Sequence, residues 1–298
     1  MSAFNKDGLG TYVKENMDQL LSEAVLLSKT VSMFPKQTGV QYKSRINILD
    51  TDPYLTKTSC GFPTDGGSVT FTQREIETTE ITVGLEFCLS DLQTTYIQYN
   101  RSAGSETMPF EQYILQDINK KINNRVGKSL WIGATTSVDP NLQHFSGWAT
   151  IAEADCDEID LGTASITTYE AVEKVYLGIP DEVISTANIY IGMDRYRVFI
   201  NDSLQLKLPL TPVSVNYEDG SYFPASNTKV IPLSELNGTG YIIAGPDRDF
   251  LIGTDFSGSY EQYDFFWDKS AQKFKFICKF NLGAQIIFPD EVVWAKIS

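Results

Sequence analysis

The stretch VTFTQREIETTEITVGLEFCL, residues 69–89, decides how this chain reads. Val69 and Phe71, then Ile81, Val83, Leu85 and Phe87, fall on alternate positions against Thr, Gln and Glu partners, the period of an extended strand. Between them residues 72–79 are mostly polar. Upstream, residues 40–50 set Val40, Tyr42, Ile46 and Ile48 against Lys43, Arg45 and Asn47, and residues 61–67 supply Pro63 and the pair Gly66-Gly67. Together these segments predict one long hairpin. Strands average five or six residues, so a 20-residue arm with a polar middle is too long to lie inside one compact domain. At 3.3 Å per residue such an arm reaches about 60 Å. An isolated two-stranded ribbon is marginally stable and its edges invite pairing, so a neighbouring subunit is its natural support.

Working outward, Ser90 or Asp91 is positioned to cap a short helix running to about Asn100, followed by a polar loop over 101–107. Pro109 sits where a first helical turn tolerates it. Phe110, Ile114, Ile118, Ile122, Val126 and Leu130 then recur every fourth residue before Gly133. Such a helix is about 33 Å long, and a strict four-residue repeat winds round it, which suits a helix laid diagonally across a sheet. Residues 11–31 carry Val13, Met17, Leu20, Leu21, Ala24 and Leu27 at helical spacing, ending near Pro35. That segment reads equally as an ordinary core helix or as one docked on a neighbour.

The second half reads as α+β: a capped helix over 168–177, a buried strand over 187–192 and a short helix over 193–201. Residues 202–236 read as loop, with turn signals at Tyr217-Glu218-Asp219-Gly220 and Phe223-Pro224-Ala225. Short strands follow over 241–244 and 250–253. Phe274, Phe276, Cys278 and Phe280 then alternate along a strand expected to turn at Gly283 into 286–288 and 292–297.

Composition narrows the function classes. The 298 residues suffice for one large domain or two joined ones, and the 12% aromatic content fits a folded, strand-rich protein. A net charge of -14 repels phosphate backbones and anionic bilayers. No apolar run approaches the roughly 18 residues of a membrane span, and the N-terminus lacks a signal-peptide pattern. Cys60, Cys88, Cys156 and Cys278 are scattered without C-x-x-C spacing and read as free thiols of a reducing compartment.

Candidate chemistry is thin. His144 is the single histidine, in a loop context without a nucleophile elbow. Ser226 to Lys229 and Ser270 to Lys273 match S-x-x-K, a pattern expected about once by chance at this composition, and its companion motifs are missing. The acidic run Glu153, Asp155, Asp157, Glu158, Asp160 fails the calcium-loop pattern at Ile159 and Leu161 and reads as a solvated loop. Asp247-Arg248-Asp249 reads as a turn carrying its own counter-ion. With no nucleotide-binding glycine motif either, no enzyme activity, cofactor or metal is expected.

In the order of its elements the chain resembles the major capsid proteins of tailed bacteriophages, the Hong Kong 97-type fold. The resemblance lies in texture over nearly the whole length: an arm, an extended loop, a spine-like helix, and a hairpin "FKFICKFNLGAQIIFPDEVV" returning late in the chain. It implies an α+β fold with an N-terminal arm over 1–37 and an extended β-hairpin loop over 38–89. A peripheral domain over 90–165 would hold the spine helix 109–131, an axial domain would span 166–248, and return strands over 249–298 would complete the peripheral domain. A chain starting with a short arm implies either no long internal scaffolding segment or its prior removal.

By the same resemblance the chain would be a structural subunit, assembling with itself into hexamers and pentamers of an icosahedral capsid around double-stranded DNA. It would be built in the host cell cytoplasm and reside in the virion capsid. Portal, scaffold or decoration proteins would be its partners, with DNA met only by non-specific proximity and no membrane involved. An acidic inner wall would then leave the genome uncondensed. The expected subunit contacts are Tyr42, Arg45, Tyr54, Leu55, Lys57, Phe62, Arg74, Glu77, Tyr217 and Phe223. Members that crosslink covalently use lysine and asparagine, and Lys57 near the loop tip is the candidate here, though solvated lysines are commonplace. Two alternatives stand beside this reading: an encapsulin-like compartment shell of the same fold, and a β-rich carbohydrate-binding protein.

Overall fold

The computed structural model describes residues 29–52, 67–88, 110–162, 166–208, 210–212, 219–255 and 262–297, with the short pieces 90–92 and 94–95. Its centre is one 14-residue strand. In that strand, Lys273–Ile286, Phe274, Phe276, Cys278 and Phe280 all point into the core, as their alternation predicts. Its first part is flanked antiparallel by Thr79–Cys88 on one side and Gln262–Asp268 on the other, and its last part by Phe250–Thr254. The pair Lys36–Gln37 joins Phe250–Thr254 to complete a five-stranded sheet.

In chain order we label the elements α1 (Lys29–Met33), β1 (Lys36–Gln37), β2 (Lys43–Asp52), β3 (Ser68–Glu77), β4 (Thr79–Cys88), α2 (Phe110–Ile132) and α3 (Trp148–Asp155). Then follow β5 (Asp157–Glu158), α4 (Thr168–Gly178), β6 (Ala187–Gly192), α5 (Met193–Gln205), β7 (Thr211–Pro212), β8 (Ser221–Tyr222) and β9 (Lys229–Leu233). The last strands are β10 (Tyr241–Pro246), β11 (Phe250–Thr254), β12 (Gln262–Asp268), β13 (Lys273–Ile286) and β14 (Val293–Lys296). A seven-stranded sheet runs β5-β14-β10-β6-β9-β8-β7, and β2 and β3 form a separate two-stranded ribbon.

Two cores follow from the alternation of the seven-stranded sheet. Tyr190, Ile231, Leu233, Ile243 and Trp294 point to one face and join the core under α2. Their neighbours Ile189, Ile191, Val230, Ile242, Val293 and Ala295 point to the other face, under α4 and α5. Burial on both faces explains why β6 and β10 are nearly unbroken apolar runs. The α2 stripe performs as its spacing predicts, with Ile114, Ile118, Ile122, Val126 and Leu130 all buried. At its end Trp131 and Trp148 meet edge-on at 5.0 Å, with Phe34, Tyr190 and Phe250 closing the cluster. Both indoles are hydrogen-bonded, Trp131 to the Thr30 hydroxyl and Trp148 to the Gln285 carbonyl, so their polar ends are satisfied. Helix α4 begins in a reciprocal capping box between Thr167 and Glu170, whose carboxylate is held below its usual range by those bonds.

Several sequence expectations are corrected. Residues 69–89 do not form one continuous arm. Thr78 divides them into β3, which pairs with β2, and β4, which is built into the five-stranded sheet beside β13. The supposedly exposed middle therefore contains buried Ile76 and Thr78. The described ribbon spans ten residues per strand, about 33 Å rather than 60 Å. Gly283 is not a turn but lies mid-strand, where the chain crosses over it. A Cβ there would come within 2.0 Å of the Glu77 carbonyl oxygen, so only glycine admits the crossing. Residues 229–233, read as loop, form β9 parallel to β6, and the 193–201 helix continues to Gln205. The acidic run 153–160 is solvated as expected, but it is the end of α3 followed by β5 instead of a loop. Of the expected helix over 11–31, only its end lies among the described residues, in α1.

Candidate assembly interface

The ribbon is graded along its length. On one face the register stacks Lys43 opposite Glu77, Arg45 opposite Glu75, Asn47 opposite Gln73, Leu49 opposite Phe71 and Thr51 opposite Val69. At the root, Lys43 bridges Glu75 and, at 2.8 Å, Glu77, while Arg45 pairs with Glu75 at 3.1 Å. These pairs raise the Lys43 ammonium and lower the Glu75 carboxyl, each away from its ordinary value toward the charged form. Next comes an amide pair, Gln73 Nε2 donating to Asn47 Oδ1 at 3.0 Å. Beyond it the face turns apolar. Leu49 and Val69 are 58% exposed and Phe71 is 74% exposed. Fully burying a side chain of this kind is worth about 1.5–3 kcal/mol, so this end of the ribbon gains by being covered.

The root is fixed from its opposite face. Ile76 packs with Val40 and Leu251, and Ile46 and Ile287 close over them. Arg74 turns inward, donating to Asp155 Oδ2 at 2.8 Å and to the Ile286 carbonyl at 2.9 Å. Asp155 ends α3, so the guanidinium also meets the negative end of that helix. Gln285 Nε2 donates to the Glu75 carbonyl at 2.7 Å. Replacing Arg74 by alanine is expected to cost about 1 kcal/mol and to speed hydrogen exchange of β3 selectively, because it removes a half-buried guanidinium and its bond to the Ile286 carbonyl. Unchanged exchange across residues 68–77 would show that the contact does not hold the ribbon.

The expected contact residues divide accordingly. Tyr42 is 74% exposed, and Arg45 and Glu77 lie on the outer face of the root. Arg74 is committed to its own subunit. Phe223 is a correction: it is 6% exposed and stacks on Tyr176 at 4.5 Å and on Tyr169, filling the core under α4. Tyr54, Leu55, Lys57, Phe62 and Tyr217 lie outside the described residues. Leu49, Val69 and Phe71, exposed together, were not among the expected contacts, although pairing the two strands in register would have gathered them on one face.

The residues tested for chemistry have structural partners. Ser226 Oγ donates to the Phe223 carbonyl within a turn, Ser270 Oγ donates to Asp268, and Lys273 pairs with Glu86. Glu153 accepts from the Tyr241 hydroxyl, and the Asp160 carboxylate accepts from the Gly162 amide. Among the described residues no cluster of three or more His, Cys, Asp or Glu side chains is suited to a metal. Half-buried His144 lines two hollows, one of about 420 Å³ between β4 and α2 and one of about 400 Å³ beneath the ribbon root beside Glu75 and Glu77.

No family model matches the chain, and no curated protein matches it in sequence. Solved structures do match in shape. A chain of the satellite phage P4 procapsid, which includes the size determination protein, superposes with a TM-score of 0.62 at 10% identity, over 99% of this chain and 91% of that one. A chain of Gordonia phage Cozz gives 0.61 at 13% identity, over 91% and 86%. This chain has the fold of phage capsid proteins. The capsid fold also extends to the SrpI encapsulin of Synechococcus elongatus, matched at a TM-score of 0.55 and 12% identity over 91% and 88%. In the capsid fold as this chain builds it, the ribbon stands at one end of β13, rooted by Arg74 and Ile76, with Leu49, Phe71 and Val69 exposed on one face of its outer half.

Proposed function

We propose that this chain is the shell subunit of a tailed-phage capsid, assembling with itself into hexamers and pentamers of an icosahedral shell around double-stranded DNA. The observation that carries this reading is the ribbon: its root is bonded into its own subunit while its outer face offers Leu49, Phe71 and Val69 to another surface. In this reading the ribbon docks on a different part of the neighbouring subunit, the heterologous kind of contact from which closed rings are built. Many modest contacts per subunit then sum to a stable shell. In this reading the virion capsid is the site of residence, host cytoplasm the place of assembly, and portal, scaffold and decoration proteins the partners. Residues 38–89 serve as the extended loop, although β4 within them belongs structurally to the body. The acidity is not uniform: Lys120, Lys121, Arg125 and Lys128 all lie on the exposed face of α2.

The test is assembly of the purified chain, followed by size exclusion and negative-stain microscopy. Shells are expected from the full chain, and a folded subunit that forms none from a chain lacking residues 52–67. Normal shells from the deletion would refute the ribbon's part in assembly. An encapsulin-like compartment is the second reading, favoured by the encapsulin match, and is separated by content: a packaged protein in place of DNA.

A further inference from the structure

The chain passes between its two large sheets through a pair of short turns lying side by side. β10 leaves the seven-stranded sheet, Asp247–Asp249 forms one 3-10 turn, and β11 enters the five-stranded sheet. In the reverse direction β13 ends, Pro289–Glu291 forms the second turn, and β14 enters the seven-stranded sheet. The Ile287 amide donates to the Asp249 carbonyl at 2.9 Å, and Arg248 pairs with Glu291 at 2.6 Å, tying one turn to the other.

The carboxylates here differ sharply in their surroundings. Asp247 accepts from Asn188 Nδ2 at 2.6 Å and from the Tyr190 hydroxyl. Glu291 has the Arg248 guanidinium. Asp249 is 0% exposed, neither of its carboxylate oxygens accepts a hydrogen bond, and Arg248 Nε stands off at 3.5 Å. The Glu291 side chain is within hydrogen-bonding reach of it. A buried carboxylate with one loosely placed guanidinium for a partner, facing a second carboxylate, is favoured with a proton held between them.

We propose that the two turns form a hinge between the sheets, locked by a proton held between Asp249 and Glu291 and loosened when that proton leaves. Burial, then the Glu291 charge, push the Asp249 carboxyl up to about 7, against the opposing pull of Arg248. Tyr190, the other acid facing this group, is pushed well above its ordinary range by burial and by Asp247, so it stays neutral throughout. The sign is set by linkage. The folded state holds a proton that the unfolded chain has released above about pH 4, so this contribution is largest at acid pH. It declines as pH rises and is gone above neutrality. In a shell subunit, such a hinge would loosen the junction locally, because the core under α2 is shared by both sheets and holds them together. That purpose rests on the shell reading; the hinge itself is a property of the single chain.

Hydrogen exchange of the unassembled subunit tests it directly, comparing residues 245–252 and 286–293 at pH 5.5 and 8.5 after correction for intrinsic rates. The wild type is expected to open at least tenfold more often at pH 8.5. Asp249→Asn, uncharged and of the same shape, should abolish that dependence, and Glu291→Gln should weaken it. A flat wild-type profile, or an Asp249→Asn variant keeping the full dependence, would overturn the hinge. Should Asp249→Asn not fold, the wild-type profile and Glu291→Gln decide. Because no shell is needed, failure of the hinge is distinguishable from failure to assemble.

Discussion

A chain carrying Leu49→Asp and Phe71→Asp together is expected to fold as the parent does and to form no shells. The two residues are directly opposite on the ribbon and largely exposed, so within the subunit they support almost nothing. Exposed substitutions of this kind change stability by about 0.5 kcal/mol, with a small added penalty for facing two like charges across a strand pair. At a subunit contact the change is far larger. Losing about 2 kcal/mol of burial at each position amounts to roughly a thousandfold per contact, repeated at every subunit of a ring. The readouts are a melting temperature within a few degrees of the parent and a size-exclusion profile confined to small species. Shells of normal size and yield from the double variant would remove the ribbon face from the interface.

The second large effect is expected inside the fold. Trp148 is 0% exposed and packs edge-on against Trp131, Phe34 and Phe250, at the place where α2, α3 and both large sheets converge. Truncation to alanine leaves a cavity and the Gln285 carbonyl without its donor, at a cost of about 3–5 kcal/mol. Against a total stability of about 5–15 kcal/mol, that reduces yield of folded subunit as well as its denaturation midpoint. Leu177→Ala is the control: 74% exposed at the end of α4, it should cost under about 0.5 kcal/mol by the same denaturant titration. Equal losses in the two variants would mean that the aromatic cluster is not the fold's keystone.

The capsid-type fold was legible where local period and global burial agree. Phe274 to Phe280 alternate because one face of β13 is core, and Ile114 to Leu130 recur every fourth residue because α2 lies over it. It was illegible where tertiary pairing overrides local sequence. Nothing at Thr78 and Thr79 signals a turn; the chain divides there because β13 pairs with β4 but not with β3. Helix α3 has glycine at its N-cap without a side-chain cap bond and ends in acidic residues, so neither terminus announces it. β9 is a five-residue run interrupted by Pro232, a weak strand pattern by itself, and it forms because β6 supplies a parallel partner. Of the expected contact residues, Tyr42, Arg45 and Glu77 stand exposed on the root. Phe223 failed because a turn signal was taken for exposure, when the ring of a turn residue can face inward.

The two strands that follow one another at Thr78 have a mechanical meaning. Anything that pulls on the ribbon pulls on the first residue of β4, and β4 is bonded to β13 over its whole ten-residue length. Traction applied along that axis loads the rungs of the ladder together, in shear, instead of opening them one after another. A container pressed from within would strain its walls in the plane of the shell. A subunit wired this way would meet that strain with a full strand pair at once, and would yield at its neighbours before it unravelled itself.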